Sequence, residues 1–204
     1  MRLGVDFDNT IVCYDQVFHQ VGLEQGLIPA GVPVSKGGIR DYLRHRGRED
    51  AWIELQGYVY GARMLDASPF PGTLEFFSWC NERGVSVCIV SHRTRHPFMG
   101  PLYDLHRAAR EWVEHYGFYE RTGLSPECVY FELTKQEKLD RIRQQGCDFF
   151  VDDLSEFLAD PDFPADVKRI LFDPNSCYVN EHRFERVTSW GQIRQLIINR
   201  GGSA

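Results

Sequence analysis

Two aspartates one residue apart, Asp6 and Asp8, close a short apolar run, Leu3-Gly4-Val5. Side chains alternate along a strand, so both carboxylates are expected on one side. Like charges held that close raise each other's pKa unless a cation sits between them. The stretch therefore asks for a divalent metal or for one carboxyl kept protonated. Other reactive side chains stand where later apolar runs end. Ser91, His92 and Arg93 follow the run 85–90, and Asp152 and Asp153 follow 149–151. Lys135 opens a helical stretch just after the run 129–133, behind Thr134.

The elements that carry these residues alternate. The first strand is expected over 2–8, with a turn at 9–13 because Asn9 and Thr10 favour turns. Helix 73–83 precedes strand 85–90, helix 102–116 precedes strand 129–133, and helix 135–145 precedes strand 149–151. These helices stop at Gly84, Gly117 and Gly146, each suited to a left-handed C-cap. A short helix at 154–159, a strand at 170–172 and a helix at 191–199 complete the series. Alternating strands and helices specify an α/β fold, a Rossmann-like three-layer core on a parallel sheet. In such a sheet all the reactive strand ends share one edge, where ligands bind. Residues 14–68 break the alternation with three helical stretches and end in Pro69-Phe70-Pro71-Gly72. They are expected to form a small helical cap insertion, with 1–13 and 69–204 as the core domain.

Thr134 and Glu137 fit a capping box, which places a helix start at Lys135. A cation in the first helical turn opposes the helix dipole, so an anionic neighbour is expected beside it. With 204 residues the chain is long enough for one core plus a sizeable insertion. A formal charge of −6 disfavours nucleic acid and anionic membranes as partners. No apolar run approaches a bilayer span, and no leader pattern is read at the N-terminus. The six cysteines form no CxxC pair, which points to reduced thiols and a cytoplasmic location.

In combination and order these motifs resemble the haloacid dehalogenase (HAD) superfamily of phosphohydrolases. Asp6-Phe7-Asp8-Asn9-Thr10 matches the first motif, Ser91 the second, Lys135 the third, and Asp152-Asp153 with Glu156 the fourth. The resemblance implies that Asp6 attacks phosphorus and forms an aspartyl-phosphate, and that Asp8 serves as acid and then base. It implies Mg²⁺ held by Asp6, Asp152 and the backbone of Asp8. Ser91 and Lys135, with Asn9 and Thr10, would hold phosphate oxygens, and Asp153 would orient a metal water or the lysine. The acid at position 8 points to phosphate monoesters. The expected activity is hydrolysis of a small phosphorylated metabolite, a sugar phosphate or a nucleotide. A phosphomutase on the same core and a silent ligand-binding module are the alternatives.

Several residues have plainer readings. Asp8 and Asn9 could only build a turn, and Asp153 could only cap the helix at 154. Lys138, one turn beyond Lys135, competes with it for the same role, its plainer reading being a solvated surface lysine. His92 and Arg93 are possible substrate contacts on an otherwise solvated loop. Arg40, Arg44, His45, Arg46, Arg48 and Arg63 are expected on solvated helix faces. Trp52, Tyr58 and Tyr60 are expected in a packed core. Oligomeric state is not legible.

Overall fold

A computed structural model describes residues 1–201. In chain order, strand β1 is Arg2–Val5 and β2 is Val12–Cys13. Helices α1 Asp15–Glu24, α2 Lys36–His45 and α3 Glu49–Tyr60 follow, then β3 Ser68–Pro69, α4 Thr73–Glu82 and β4 Ser86–His92. Next come α5 Leu105–His115, α6 Phe118–Thr122, β5 Val129–Glu132, α7 Lys135–Gln144 and β6 Phe149–Asp152. The remainder is α8 Ser155–Leu158, β7 Lys168–Phe172, β8 Glu185–Val187 and α9 Trp190–Gly201. Strands β2 and β3 pair as a short ribbon.

The other strands form a six-stranded sheet in the order β5-β4-β1-β6-β7-β8, with parallel pairing throughout. The chain moves outward from β1 through β4 to β5, then returns to the other side of β1 at β6. The order reverses around β1, and in open parallel sheets such a reversal is where ligands bind, at the carboxyl ends of the neighbouring strands. The ends of β1, β4 and β6 carry Asp6, Ser91 and Asp152.

Both faces of the sheet are covered. On one, Cys88, Val90, Phe150 and Leu171 pack against Leu139 and Ile142 of α7 and Phe157 and Leu158 of α8. On the other, Phe172 meets Trp190, which also touches Phe76 and Phe77 of α4. Leu171 and Phe172 thus serve opposite faces, as the pleat requires. Continuous apolar runs such as Ile170-Leu171-Phe172 are the mark of a strand buried on both sides. Gly4 has a packing role in β1: a Cβ there would stand 2.5 Å from Phe150 and 2.9 Å from the Cys147 sulfur. The strand β8 and the helix α6 were not expected from sequence; at three and five residues they are too short to carry a period.

The chain divides into two compact units. The first holds Met1–Ile11, Pro69–His92 and the chain from Gly117 onward, and so contains the six-stranded sheet. The second holds Val12–Ser68 and Arg93–Tyr116, which differs from an insertion of 14–68 alone. Residues 93–116 join it because α5 buries Ala109, Trp112 and Val113, and the Trp112 indole donates to the Ala67 carbonyl at 2.7 Å. Within this unit Phe18 packs on Trp52 and Tyr60; Trp52 is buried as expected, whereas Tyr58 and Tyr60 are half-buried. Its arginines are largely paired: Arg40 with Asp41, Arg44 with Glu49, and Arg63 with Glu24 and Asp66.

Candidate active site

Strand β1 ends at Val5, and the backbone N–H of Asp6 still donates to the Val151 carbonyl at 2.9 Å. That bond fixes Asp6 beside the end of β6, where Asp152 closes the strand. Asp6 is 4% exposed and Asp152 is wholly buried. Ser91, near the end of β4, donates its hydroxyl to the Asp6 Oδ1 at 2.8 Å. The backbone N–H of Leu154 donates to the Asp152 Oδ1 at 2.9 Å.

The cation of the site is Lys138. Its Nζ lies 2.6 Å from the Asp6 Oδ1 and 2.6 Å from the Asp152 Oδ2. This corrects the preference for Lys135 over Lys138 and sets aside the plainer reading of Lys138 as a solvated surface lysine. Lys135 is half exposed and pairs with Asp160. The helix start itself is as expected, with Thr134 and Glu137 forming the capping box. The reason for the exchange is side-chain direction. A helical side chain leans back toward the N-terminus and covers the turn before its own Cα. A lysine needed at the start of α7 must therefore come from its second turn, and Lys135 points past the end. Both lysines lie four residues before a buried apolar residue, Lys135 before Leu139 and Lys138 before Ile142. Spacing alone does not separate them.

Burial presses hardest against the Lys138 charge, but Asp152 and Asp6 outweigh it and carry the ammonium above its ordinary value. Burial pushes the Asp152 carboxyl up to about 7 against the pull of Lys138, with the charge of Asp6 adding to the rise. With Asp152 deprotonated, the triad holds two carboxylates and one ammonium, a net negative charge in a buried place. Asp153 adds a third carboxylate. One oxygen from each of Asp6, Asp152 and Asp153 lies within 4.8 Å of the others. A donor set made only of carboxylate oxygens, short of positive charge, fits a hard divalent cation.

The remaining expected residues are placed as follows. Asp8 and Asn9 are half-buried in the turn after β1, with Asn9 in the left-handed region at φ 56°. Thr10 is buried, and its hydroxyl finds no hydrogen-bond partner among the described residues. The N-cap position of α8 is Leu154, and Asp153 stands one residue before it. Glu156 is exposed on the first turn of that helix. His92 is exposed. Arg93 is not on a solvated loop. It is buried within the second unit, its guanidinium 5.0 Å from the Tyr60 ring and 3.5 Å from the Tyr14 hydroxyl. Arg93 ends up inside because these rings and Met64 receive its planar head.

Comparison with solved structures places this fold among those of HAD-superfamily hydrolases. A HAD family hydrolase from Deinococcus radiodurans R1, solved with bound phosphate and sodium, is 16% identical at a TM-score of 0.61, covering 98% of this chain and 96% of its own. A predicted phosphatase from Clostridium acetobutylicum is 11% identical at 0.60, covering 97% of this chain and 98% of its own. The Mycobacterium tuberculosis Protein Tyrosine Kinase A is 14% identical at 0.61, covering 96% and 97%. At these identities the likeness is one of fold. Sequence comparison finds no matching family profile and no matching curated protein. No helix among the described residues is long and apolar enough to cross a membrane.

Two outcomes test this geometry. Removing a buried ammonium leaves buried carboxylates uncompensated, so Lys138→Ala is expected to lower metal-free stability by about 3 kcal/mol. Lys135→Ala loses only a half-exposed pair and should change stability by less than about 1 kcal/mol. Chemical denaturation in chelator reads both, and equal effects would contradict the assignment. The second outcome concerns metal. A cation at Asp152 must displace its proton, so binding strengthens as pH rises through about 7. Titration with Mg²⁺ by calorimetry should show affinity about ten-fold weaker at pH 6 than at pH 8. A pH-independent affinity would mean that Asp152 is not a ligand.

Proposed function

We propose that the chain is a Mg²⁺-dependent phosphomonoester hydrolase of the HAD type, acting on a small phosphorylated metabolite. The observation that carries this reading is the Asp6 carboxylate. It is held on Oδ1 by Ser91 and Lys138, and one of its oxygens lies within 4.8 Å of an oxygen of Asp152 and of Asp153, close enough for one cation to be shared. A carboxylate used only for stability has no need of two further acids around it.

In this reading Asp6 is the nucleophile. Its oxygen attacks phosphorus in line with the leaving alkoxide and forms an acyl phosphate, which water then cleaves at phosphorus. The hydrogen bond from Ser91 and the ion pair with Lys138 fix the carboxylate, so little reorganisation accompanies attack. Lys138 and Ser91 also supply donors to phosphate oxygens as charge develops. Asp8 gives a proton to the leaving oxygen and later takes one from the attacking water. Its half-buried place in the turn after β1 leaves it access for both steps. Asp6, Asp152 and the backbone of Asp8 would hold Mg²⁺, with Asp153 on a bound water. When bound, the ion supplies charge neutralisation at the phosphoryl oxygens.

The second compact unit is the natural seat of substrate selection. The chain leaves the sheet-bearing unit after Ile11, soon after Asp6 and Asp8, and again after His92, next to Ser91. The unit's residues therefore begin within a few positions of two reactive strand ends. We assign it the role of a cap, and a small sugar phosphate or nucleotide as substrate.

The test is a panel of phosphorylated metabolites with Mg²⁺, read as free phosphate. Release from at least one small monoester is expected, with loss of at least about a thousand-fold in Asp6→Asn. If the wild type releases phosphate from none, or if Asp6→Asn keeps its activity, the reading is wrong. Phosphoryl return to substrate without free phosphate would identify a mutase.

A further inference from the structure

The ammonium of Lys138 lies not only between carboxylates but also on an aromatic floor. Its Nζ is 4.0 Å from the centroid of the Phe157 ring and 5.5 Å from that of Phe150. Phe157 is buried in the four-residue helix α8 and belongs to a trio with Phe150 and Phe163. The ring centroids of the trio are 5.7 to 6.1 Å apart, with Phe157 and Phe163 edge to face. The same turn that sets Asp152 sets this ring. Leu154 donates its N–H to Asp152 and accepts on its carbonyl from the N–H of Phe157 at 3.1 Å.

We propose that Phe157 is a positioning residue for Lys138, holding the ammonium by a cation–π contact while its anionic partners change during phosphoryl transfer. This rests on the phosphatase reading above. The lysine stem is flexible, and its head is a point charge. In the resting site, two of its three donors serve Asp6 and Asp152. When a phosphate oxygen competes for the same ammonium, the pull toward each carboxylate weakens and the head is free to swing. An aliphatic wall would leave the rest of the desolvated charge without compensation. The negative face of a ring compensates it without offering a hydrogen bond that must break. Phe157 therefore keeps the charge centred without competing for its donors.

The experiment replaces the ring in the full-length chain and follows hydrolysis of p-nitrophenyl phosphate with Mg²⁺. Phe157→Leu should lower kcat about ten-fold and move KM by less than about two-fold. Phe157→Tyr should restore most of the rate. Fluorinated phenylalanines placed at 157 keep the ring's shape while draining its face of charge, so kcat should fall in steps from mono- to trifluoro substitution. A trifluoro protein with wild-type kcat overturns the proposal, whatever the folding of the leucine variant. A second readout does not depend on activity. The chain has four lysines, Lys36, Lys135, Lys138 and Lys168. The Cε protons of Lys138 should resonate upfield under the ring and lose that shift in Phe157→Leu. An unmoved signal overturns the contact even if the wild type hydrolyses nothing, an outcome that would by itself sink only the phosphatase reading.

Discussion

One ammonium between two buried carboxylates governs the architecture of the site. Asp6 and Asp152 end adjacent parallel strands, and their charges repel at the short spacing that β1 and β6 impose. Lys138 bridges them at 2.6 Å on each side and removes most of that repulsion. A buried ion pair is weak support for stability, because desolvation of each ion consumes much of the Coulomb gain. Its retention here makes sense as preorganisation for the proposed reaction: the Asp6 carboxylate is fixed, and the three carboxylates around one ammonium leave charge for a divalent cation.

The sheet order explains why this arrangement arises. Strand β1 is central, with β4 on one side and β6 on the other. The reversal of winding at β1 brings three strand ends from distant parts of the sequence to one edge. Ser91 stands 85 positions from Asp6, and Lys138 stands 132 away. The strand must pass close to its neighbours for this to work, and Gly4 makes room for Phe150 and Cys147. Packing of the sheet and alignment of the site are thus one requirement.

Much of this was legible in the sequence. Apolar runs that end in Asp6, Ser91 and Asp152 predict strand ends, and glycines at 84, 117 and 146 predict the helix stops that separate them. All three glycines adopt the positive φ that a left-handed cap requires. The Thr134–Glu137 box placed α7 correctly. What was not legible follows from what a one-dimensional pattern omits. Lys135 and Lys138 both fit the buried stripe of α7, and only the backward lean of helical side chains selects the second. Arg93 reads as part of a polar loop because its acceptors and rings lie at Tyr14, Tyr60 and Met64, far away in sequence. Residues 93–116 read as core because their helix has a normal amphipathic pattern, and the pattern does not say which unit covers it. Phe157 looks like ordinary apolar filling until the ammonium above it is seen.

In the proposed reaction the Asp6 carboxylate is the group that takes the phosphoryl. Acid quenching of the Mg²⁺-loaded chain during turnover, followed by peptide mass mapping, reads this directly. The account predicts one added phosphoryl group, acid-stable and hydroxylamine-sensitive, on the peptide that carries Asp6. A phosphoryl group on any other residue, or none in a chain that is releasing phosphate, would contradict it.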